Sequence, residues 1–129
     1  MSVTPEIKYY IDINPEDAPV RGNASASGDA AQDKEIEDAI LAQLEQNPWA
    51  WCSISVHVDV RVDIGEEEFV YHGCDYLGCC SYKSPAEFEA DGYYEDMKKN
   101  ALIEAKLSME RAVLRGQTAA EMLKALQHP

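Results

Sequence analysis

The chain has 129 residues, 46% of them apolar and 27% charged, which is enough for one globular domain with a buried core. Its 24 acidic residues against 11 lysines and arginines give a formal net charge of −13, which disfavours direct binding to DNA or RNA. No stretch is long and apolar enough to predict a membrane span, and residues 1–10 lack the pattern of a signal peptide, so we expect a cytoplasmic protein with reduced cysteines.

The first predicted element is a strand from Glu6 to Ile13, and its apolar residues alternate onto one face: Ile7, Tyr9, Ile11 and Ile13. Residues 14–31 are rich in Pro, Gly, Ser and Asn, which predicts a long surface loop. A helix follows, capped by Asp29 or Asp33 and ending near Gln46. Its predicted buried stripe consists of Ile36, Ile40, Leu41 and Leu44.

The next element is a long strand from Cys52 to Ile64, in which every even position is apolar and every odd position is polar. Side chains alternate across a strand, so one face of this strand belongs to a core and the other, with Asp59 and Asp63, to solvent. Gly65-Glu66 turns the chain into a hairpin, whose second strand runs from Glu67 to about Leu77.

The C-terminal part, residues 85–128, is predicted to be helical. Ser84-Pro85-Ala86-Glu87 has the pattern of a helix start, and Asp91-Gly92 separates this short helix from a longer one between Tyr93 and Arg115. The broad apolar face of the longer helix comprises Tyr94, Met97, Ala101, Ala105, Met109, Ala112 and Val113. Gly116 is predicted to end it, and Thr118 to cap a last helix with three buried residues: Met122, Leu123 and Leu126.

This order of elements predicts a single α+β domain over residues 1–129. We expect a small antiparallel sheet, made of the long central hairpin and the N-terminal strand, with helices packed on one face.

Two groups of side chains have the composition of chemical sites. Four cysteines and two histidines could supply zinc ligands, namely Cys52, Cys74, Cys79, Cys80, His57 and His72, but Cys74 and Cys79 are too widely spaced for a typical ligand pair, and Cys52 and His57 fall on opposite faces. His57 lies beside Asp59 and Arg61, as a general base would, yet an exposed strand face excludes no water. We therefore predict no catalytic residue, no metal ligand and no cofactor, with a small zinc-stabilised domain as an alternative.

The negative charge is concentrated in residues 1–96, which hold 21 acids and 5 bases, a net of −16. Residues 97–129 hold 3 acids and 6 bases, a net of +3, and the two parts sum to −13. An acidic surface attracts a basic partner, although a strong negative charge also keeps a small protein in solution.

Two segments resemble a set of small, acidic bacteriophage and prophage proteins of unassigned function. The first consists of RGNASASGD at 21–29 and NPWAWC at 47–52, and the second of DYLGCCSY at 75–82, Phe88 and GYYEDM at 92–97. The resemblance implies an accessory protein of a phage or mobile element, and it supplies no catalytic residue. Acidic phage proteins of this size often block host defence systems, and we expect such a role here by analogy alone.

From charge and resemblance we expect a non-catalytic inhibitor of a host nucleic-acid-handling defence complex, of the anti-CRISPR or anti-restriction type. Its partner would be a basic surface that normally holds nucleic acid, reached without direct nucleic-acid or membrane binding. The residues expected to contact that surface are Asp59, Asp63, Glu66, Glu67, Glu68, Glu35 and Asp38. The alternative is a structural or regulatory module that acts as a homodimer, through a sheet edge or the aromatic residues.

Overall fold

Three antiparallel strands in the order β1-β2-β3 form one sheet in the computed structural model, which describes residues 4–127. The elements in chain order are β1 (Glu6–Pro15), α1 (Ala30–Leu44), a 3-10 turn (Pro48–Ala50), β2 (Cys52–Ile64), β3 (Glu67–Cys80), α2 (Pro85–Ala90) and α3 (Gly92–Gln127). The predicted α+β class is confirmed. The last residue of the predicted helical part, 128, lies outside the described residues.

The alternation in β2 decides which face of the sheet is buried. Its even positions from Cys52 to Val60 are at most 3% exposed, and Ile54, Val56 and Val58 are fully buried. Partner strands follow the same alternation, because β1 and β3 both pair with β2 in antiparallel register. The predicted wet and dry faces of this strand are therefore confirmed over most of its length, whereas at the two ends Ser53 is buried and Ile64 is 59% exposed.

Helix α3 packs across β3 and β2 on the buried face. Its contact positions at the centre are small, Ala101 and Ala105, and both are fully buried. Gly73 of β3 faces them, and a Cβ added there would overlap the backbone oxygen of Ala101 and stand 2.8 Å from the backbone nitrogen of Ala105. Glycine at this position therefore permits a close approach of helix and sheet. Larger side chains fill the space on either side, with Met97 at one end and Met109 at the other.

Helix α1 packs chiefly against the residues that lead into β2, and not on the face that α3 covers. Asp29 caps it through hydrogen bonds from two backbone N–H groups. The predicted loop contributes Val20, which is buried together with Ile40 and Trp51. The Trp51 indole N–H donates to the Ala18 carbonyl at 2.8 Å. Residues 16–29 are thus folded against the start of β2 and against α1.

Helix α3 runs without a break through Gly116 to Gln127, so the predicted helix end at Gly116 and the capping box at Thr118 are wrong. The Thr118 hydroxyl instead donates to the Leu114 carbonyl one turn earlier, as such side chains do inside helices. A glycine inside a helix costs only about 1 kcal/mol relative to alanine, which a continuous helix tolerates.

Several predicted core residues are exposed, because α3 extends past the edge of the sheet. Residues 112–127 of α3 are named here the helical arm, and its Met122, Leu123 and Leu126 are 64%, 56% and 77% exposed. The predicted burial of these three residues is therefore wrong. Four further apolar residues that were predicted to face the core are also exposed: Ile7, Ile36, Leu41 and Val113.

Candidate interaction surface on the open face of the sheet

The sheet face opposite α3, named here the open face, is formed by the odd positions of β2 and by their neighbours on β1 and β3. One row across the three strands contains Lys8, Asp59 and His72, and the next contains Tyr10, His57 and Cys74. The strand pattern that builds the core therefore also gathers polar and titratable side chains on the other side.

The hairpin end of the open face is acidic. Arg61 lies among three carboxylates, at 2.9 Å from Glu68, 3.4 Å from Asp63 and 3.9 Å from Glu6. These negative charges, Asp63 first and Glu68 next, raise the pKa of Arg61. One guanidinium cannot neutralise three carboxylates, so this end keeps a net negative charge.

The tip of the hairpin carries further carboxylates. Glu66 and Glu67 are exposed, and within residues 4–127 no lysine, arginine or histidine lies within 4.0 Å of either one. Of the predicted partner-binding residues here, Glu66 and Glu67 are therefore available to a partner, while Asp63 and Glu68 share Arg61.

The centre of the open face holds a chain of polar contacts that crosses all three strands. Asp12 Oδ2 lies 3.2 Å from His57 Nε2, and His57 Nδ1 lies 3.1 Å from His72 Nε2. His72 Nδ1 lies 2.8 Å from Asp59 Oδ1. The Tyr10 ring stacks on His57, with ring centroids 4.8 Å apart and planes at 8°. Asp59 thus contacts His72, and the carboxylate that contacts His57 is Asp12.

The acids of α1 lie at the other end of the sheet. Asp38 forms an ion pair with Arg21, which also contacts the buried Glu37, whereas Glu35 is exposed. The twelve residue steps along β2 that separate the two ends span about 40 Å at 3.3 Å per residue. The seven predicted residues therefore form two separate groups, with Glu35 and Asp38 far from the hairpin.

The cysteines do not come together at one point. Cys52 and Cys80 are register partners in the core, where burial raises the pKa of Cys52 to about 11 and that of Cys80 to about 12. Cys74 is half-buried on the open face, and Cys79 is exposed at a backbone φ of 55°. Among residues 4–127, no group of three or more His, Cys, Asp or Glu residues is arranged to hold a metal ion.

Sequence reasoning considered His57 and His72 as zinc ligands only together with the cysteines, and it missed Asp12, Tyr10 and the pairing of His72 with Asp59. The hairpin supplied a signal for His72: a two-residue turn at Gly65-Glu66 pairs Ile64 with Glu67, and counting back along both strands places His72 opposite Asp59. No comparable signal exists for Asp12 and Tyr10, because a long connection separates β1 from β2.

Comparison with known proteins adds no relative. No family model matches the chain, no curated protein matches it, and no solved structure matches it. The likeness to phage proteins therefore stays a prediction. In the part of the chain that the structure describes, none of the helices is both long and apolar enough to cross a membrane.

Proposed function

We propose that this protein is a non-catalytic inhibitor that presents carboxylates to a basic, nucleic-acid-binding surface of a host defence complex. The observation that carries the proposal is negative charge that the fold does not neutralise. All 24 acids lie within the described residues, and eight of them have a basic side chain within 4.0 Å. The other sixteen have no basic side chain at this distance, although some of them, such as Asp33 and Asp91, accept hydrogen bonds within the fold.

The hairpin tip is the best candidate for the contact. It is two strands wide and carries Glu66 and Glu67 beside the acidic cluster around Arg61, so it can enter a groove that normally holds a nucleic-acid strand. Lysines and arginines that line such a groove would meet carboxylates in place of phosphates. Binding of this kind associates fast at low ionic strength and weakens as salt screens the charges.

The exposure of the polar chain supports binding over catalysis. Its two ends, Asp12 and Asp59, have side chains 62% and 35% exposed, so water reaches both ends. Between them His72 is 46% exposed, whereas His57 is 19% exposed. General acid–base catalysis gains most in a site that excludes water and orients a substrate, and this face of the sheet is open. The proposed site of action is the host bacterial cytoplasm, where defence complexes meet incoming DNA.

The test is the plating efficiency of a phage on bacterial strains that each carry one restriction or CRISPR system, with and without the protein. We expect rescue of plating on at least one strain, and loss of rescue in the variant Glu66→Lys/Glu67→Lys. The matched control is Glu89→Lys/Asp96→Lys, which makes the same charge change at two exposed acids of the helical part.

Two outcomes would count against the proposal. Failure to rescue any strain would remove the inhibitor function. Equal loss of rescue in both double variants would show that net charge, and not the hairpin tip, is responsible. Purified complex from the rescued strain should bind the wild-type protein more weakly as salt is raised.

A homodimeric interaction module is the second candidate, favoured by the helical arm. The arm exposes Met122, Leu123 and Leu126, apolar side chains that a second copy of the chain could cover. Sedimentation equilibrium separates the candidates. A dimer that persists in high salt and is lost in Leu123→Asp would support the module, while a monomer at all salt concentrations would exclude it.

A further inference from the structure

The polar chain at the centre of the open face places two imidazole nitrogens, His57 Nδ1 and His72 Nε2, side by side between two carboxylates; we call these the inner nitrogens. His72 Nδ1 donates its hydrogen to Asp59 at 2.8 Å, so in a neutral ring His72 Nε2 is a lone pair. This lone pair faces His57 Nδ1 at 3.1 Å, while His57 Nε2 lies 3.2 Å from Asp12 Oδ2. A neutral His57 carries its hydrogen either on Nδ1, which then donates to His72, or on Nε2 beside Asp12, which turns a second lone pair toward His72. In the second tautomer the two inner nitrogens can share one cation.

We propose that His57 and His72 bind one divalent cation of the late first-row class, such as Zn²⁺, through these two inner nitrogens. Two ligands at 2.0–2.1 Å from a metal stand about 2.9 Å apart at a right angle and about 3.3 Å apart at the tetrahedral angle. The observed 3.1 Å lies between these values. The nitrogens are therefore already spaced for a shared metal ion.

The groups around the histidines support this assignment. A metal-binding histidine usually donates its other N–H to a carboxylate, which fixes the ring and raises its basicity. His72 Nδ1 donates to Asp59 in this way, Asp12 lies 3.2 Å from the other outer nitrogen, His57 Nε2, and Tyr10 stacks on the His57 ring. The donors lie on paired strands, which hold them more rigidly than a loop would.

The charge balance points the same way. With neutral imidazoles the two carboxylates give the cluster a charge of −2, which one divalent cation neutralises. Within residues 4–127, no lysine or arginine lies within 4.0 Å of Asp12 or Asp59, although Lys8 is opposite Asp59 in register. Arg61, the next cation along β2, is paired with Asp63, Glu68 and Glu6.

The site supplies two protein ligands and leaves the other positions to water or to a partner's side chain. This matches the finding that no group of three or more potential ligands converges among residues 4–127. Imidazole nitrogens select zinc, copper and nickel over magnesium and calcium. The His72 side chain is 46% exposed, so the ion can enter and exchange.

The test is titration of the protein with zinc chloride by calorimetry, in a Cys79→Ala background that removes the exposed thiol and keeps Cys74, the register partner of His57. We expect one site per chain, with no binding in His57→Ala or His72→Ala. Asp12→Asn should weaken affinity by about 10–100-fold, as loss of a carboxylate behind a histidine ligand does. Asp17→Asn, at an exposed acid of the loop, is the matched control and should bind as the background does.

A second measurement uses the chain without substitutions. The ¹⁵N signals of His57 Nδ1 and His72 Nε2 should shift on addition of zinc, while the outer nitrogens stay protonated. Zinc binding that survives both histidine substitutions would overturn the proposal. The proposal would also be overturned if the ¹⁵N signals did not change on addition of zinc and instead showed a proton shared between the two rings.

Discussion

Gly73→Ala tests the close approach of β3 to α3. A Cβ at this position would stand 2.8 Å from the Ala105 nitrogen and 2.9 Å from the Ala101 carbonyl carbon, and it would overlap the Ala101 oxygen. All three are backbone atoms, so no rotamer change can make room. To restore the ordinary 3.4 Å at the Ala105 nitrogen alone, the helix must withdraw by 0.6 Å, and further to clear the oxygen.

Such a withdrawal opens a gap along the whole helix–sheet contact. A radial gap of about 0.5–1 Å forfeits a quarter to a half of each dispersion contact across it. The affected side chains include the fully buried Val58 and the nearly buried Met97. We therefore expect a loss at the upper end of the range for overpacked cores, about 3 kcal/mol of unfolding free energy. For a chain of this size that lowers the midpoint of thermal unfolding by about 10 °C.

The assay is urea unfolding followed by tryptophan fluorescence, which reports on Trp49 and the buried Trp51. Gly78→Ala is the matched control on the same strand, because its Cβ would meet Glu16 and Tyr76 side chains at 3.5 Å or more. We expect that control to stay within about 0.5 kcal/mol of the parent. Ala101→Gly should not rescue Gly73→Ala, since the obstructing atoms belong to the backbone. The reasoning is refuted if Gly73→Ala and Gly78→Ala have the same unfolding free energy.

Three further predictions concern the thiols, the loop and the arm. At pH 8 the raised pKa values leave about a thousandth of Cys52 and a ten-thousandth of Cys80 as thiolate. Ellman's reagent should therefore modify the exposed Cys79 and the half-buried Cys74 in the folded chain, and Cys52 and Cys80 only on unfolding; a fast phase that survives Cys74→Ser/Cys79→Ser would contradict this. Hydrogen bonds from the Ser27 amide and from the Ser25 and Ser27 hydroxyls lower the pKa of Asp33. The ionised Asp33 therefore stabilises the fold fully above the ordinary aspartate pKa of about 4, and this stabilisation is lost as pH falls through the lowered pKa of the folded state. Between pH 6 and pH 3 the urea midpoint of unfolding should fall less steeply in Asp33→Asn than in the parent. Equal pH dependence in the two proteins would show that the hydrogen bonds to Asp33 do not contribute to stability. Gly116→Ala should increase helical circular dichroism and stabilise the arm by up to about 1 kcal/mol, because nothing lies within 4 Å of the added Cβ. A decrease in helical circular dichroism would indicate that the helix ends at this glycine.

Local pattern predicted the elements whose causes are local. The alternation in β2 and the Ser84 cap of α2, which accepts a hydrogen bond from the Glu87 N–H, were both readable from neighbouring residues. Local pattern gave a wrong prediction at Gly116. The glycine and the capping pattern after it indicated a helix end, yet α3 continues through both. Propensity rules of this kind are worth about 1 kcal/mol, so a longer element can override them.

Contacts between distant segments could not be read from the sequence. A glycine within a strand indicates that something approaches closely, but nothing local to Gly73 identifies Ala101 and Ala105 as its neighbours. The same limit applies to the candidate site, because Asp12 reaches His57 only through the register of β1 against β2. The acids of the hairpin tip were located correctly because the turn that exposes them is itself local.

The helical arm extends for about 24 Å at 1.5 Å per residue with little of the body against it. Sixteen residues of isolated helix are marginal in water, since starting a helix is costly while adding to one is not. Here the packed half of α3 supplies the starting turns, so the arm only propagates a helix that the core has already formed. Heating should therefore fray the arm from its free end before the core unfolds. Helical circular dichroism will begin to decline ahead of tryptophan fluorescence, and the two curves will meet only once the core itself is lost.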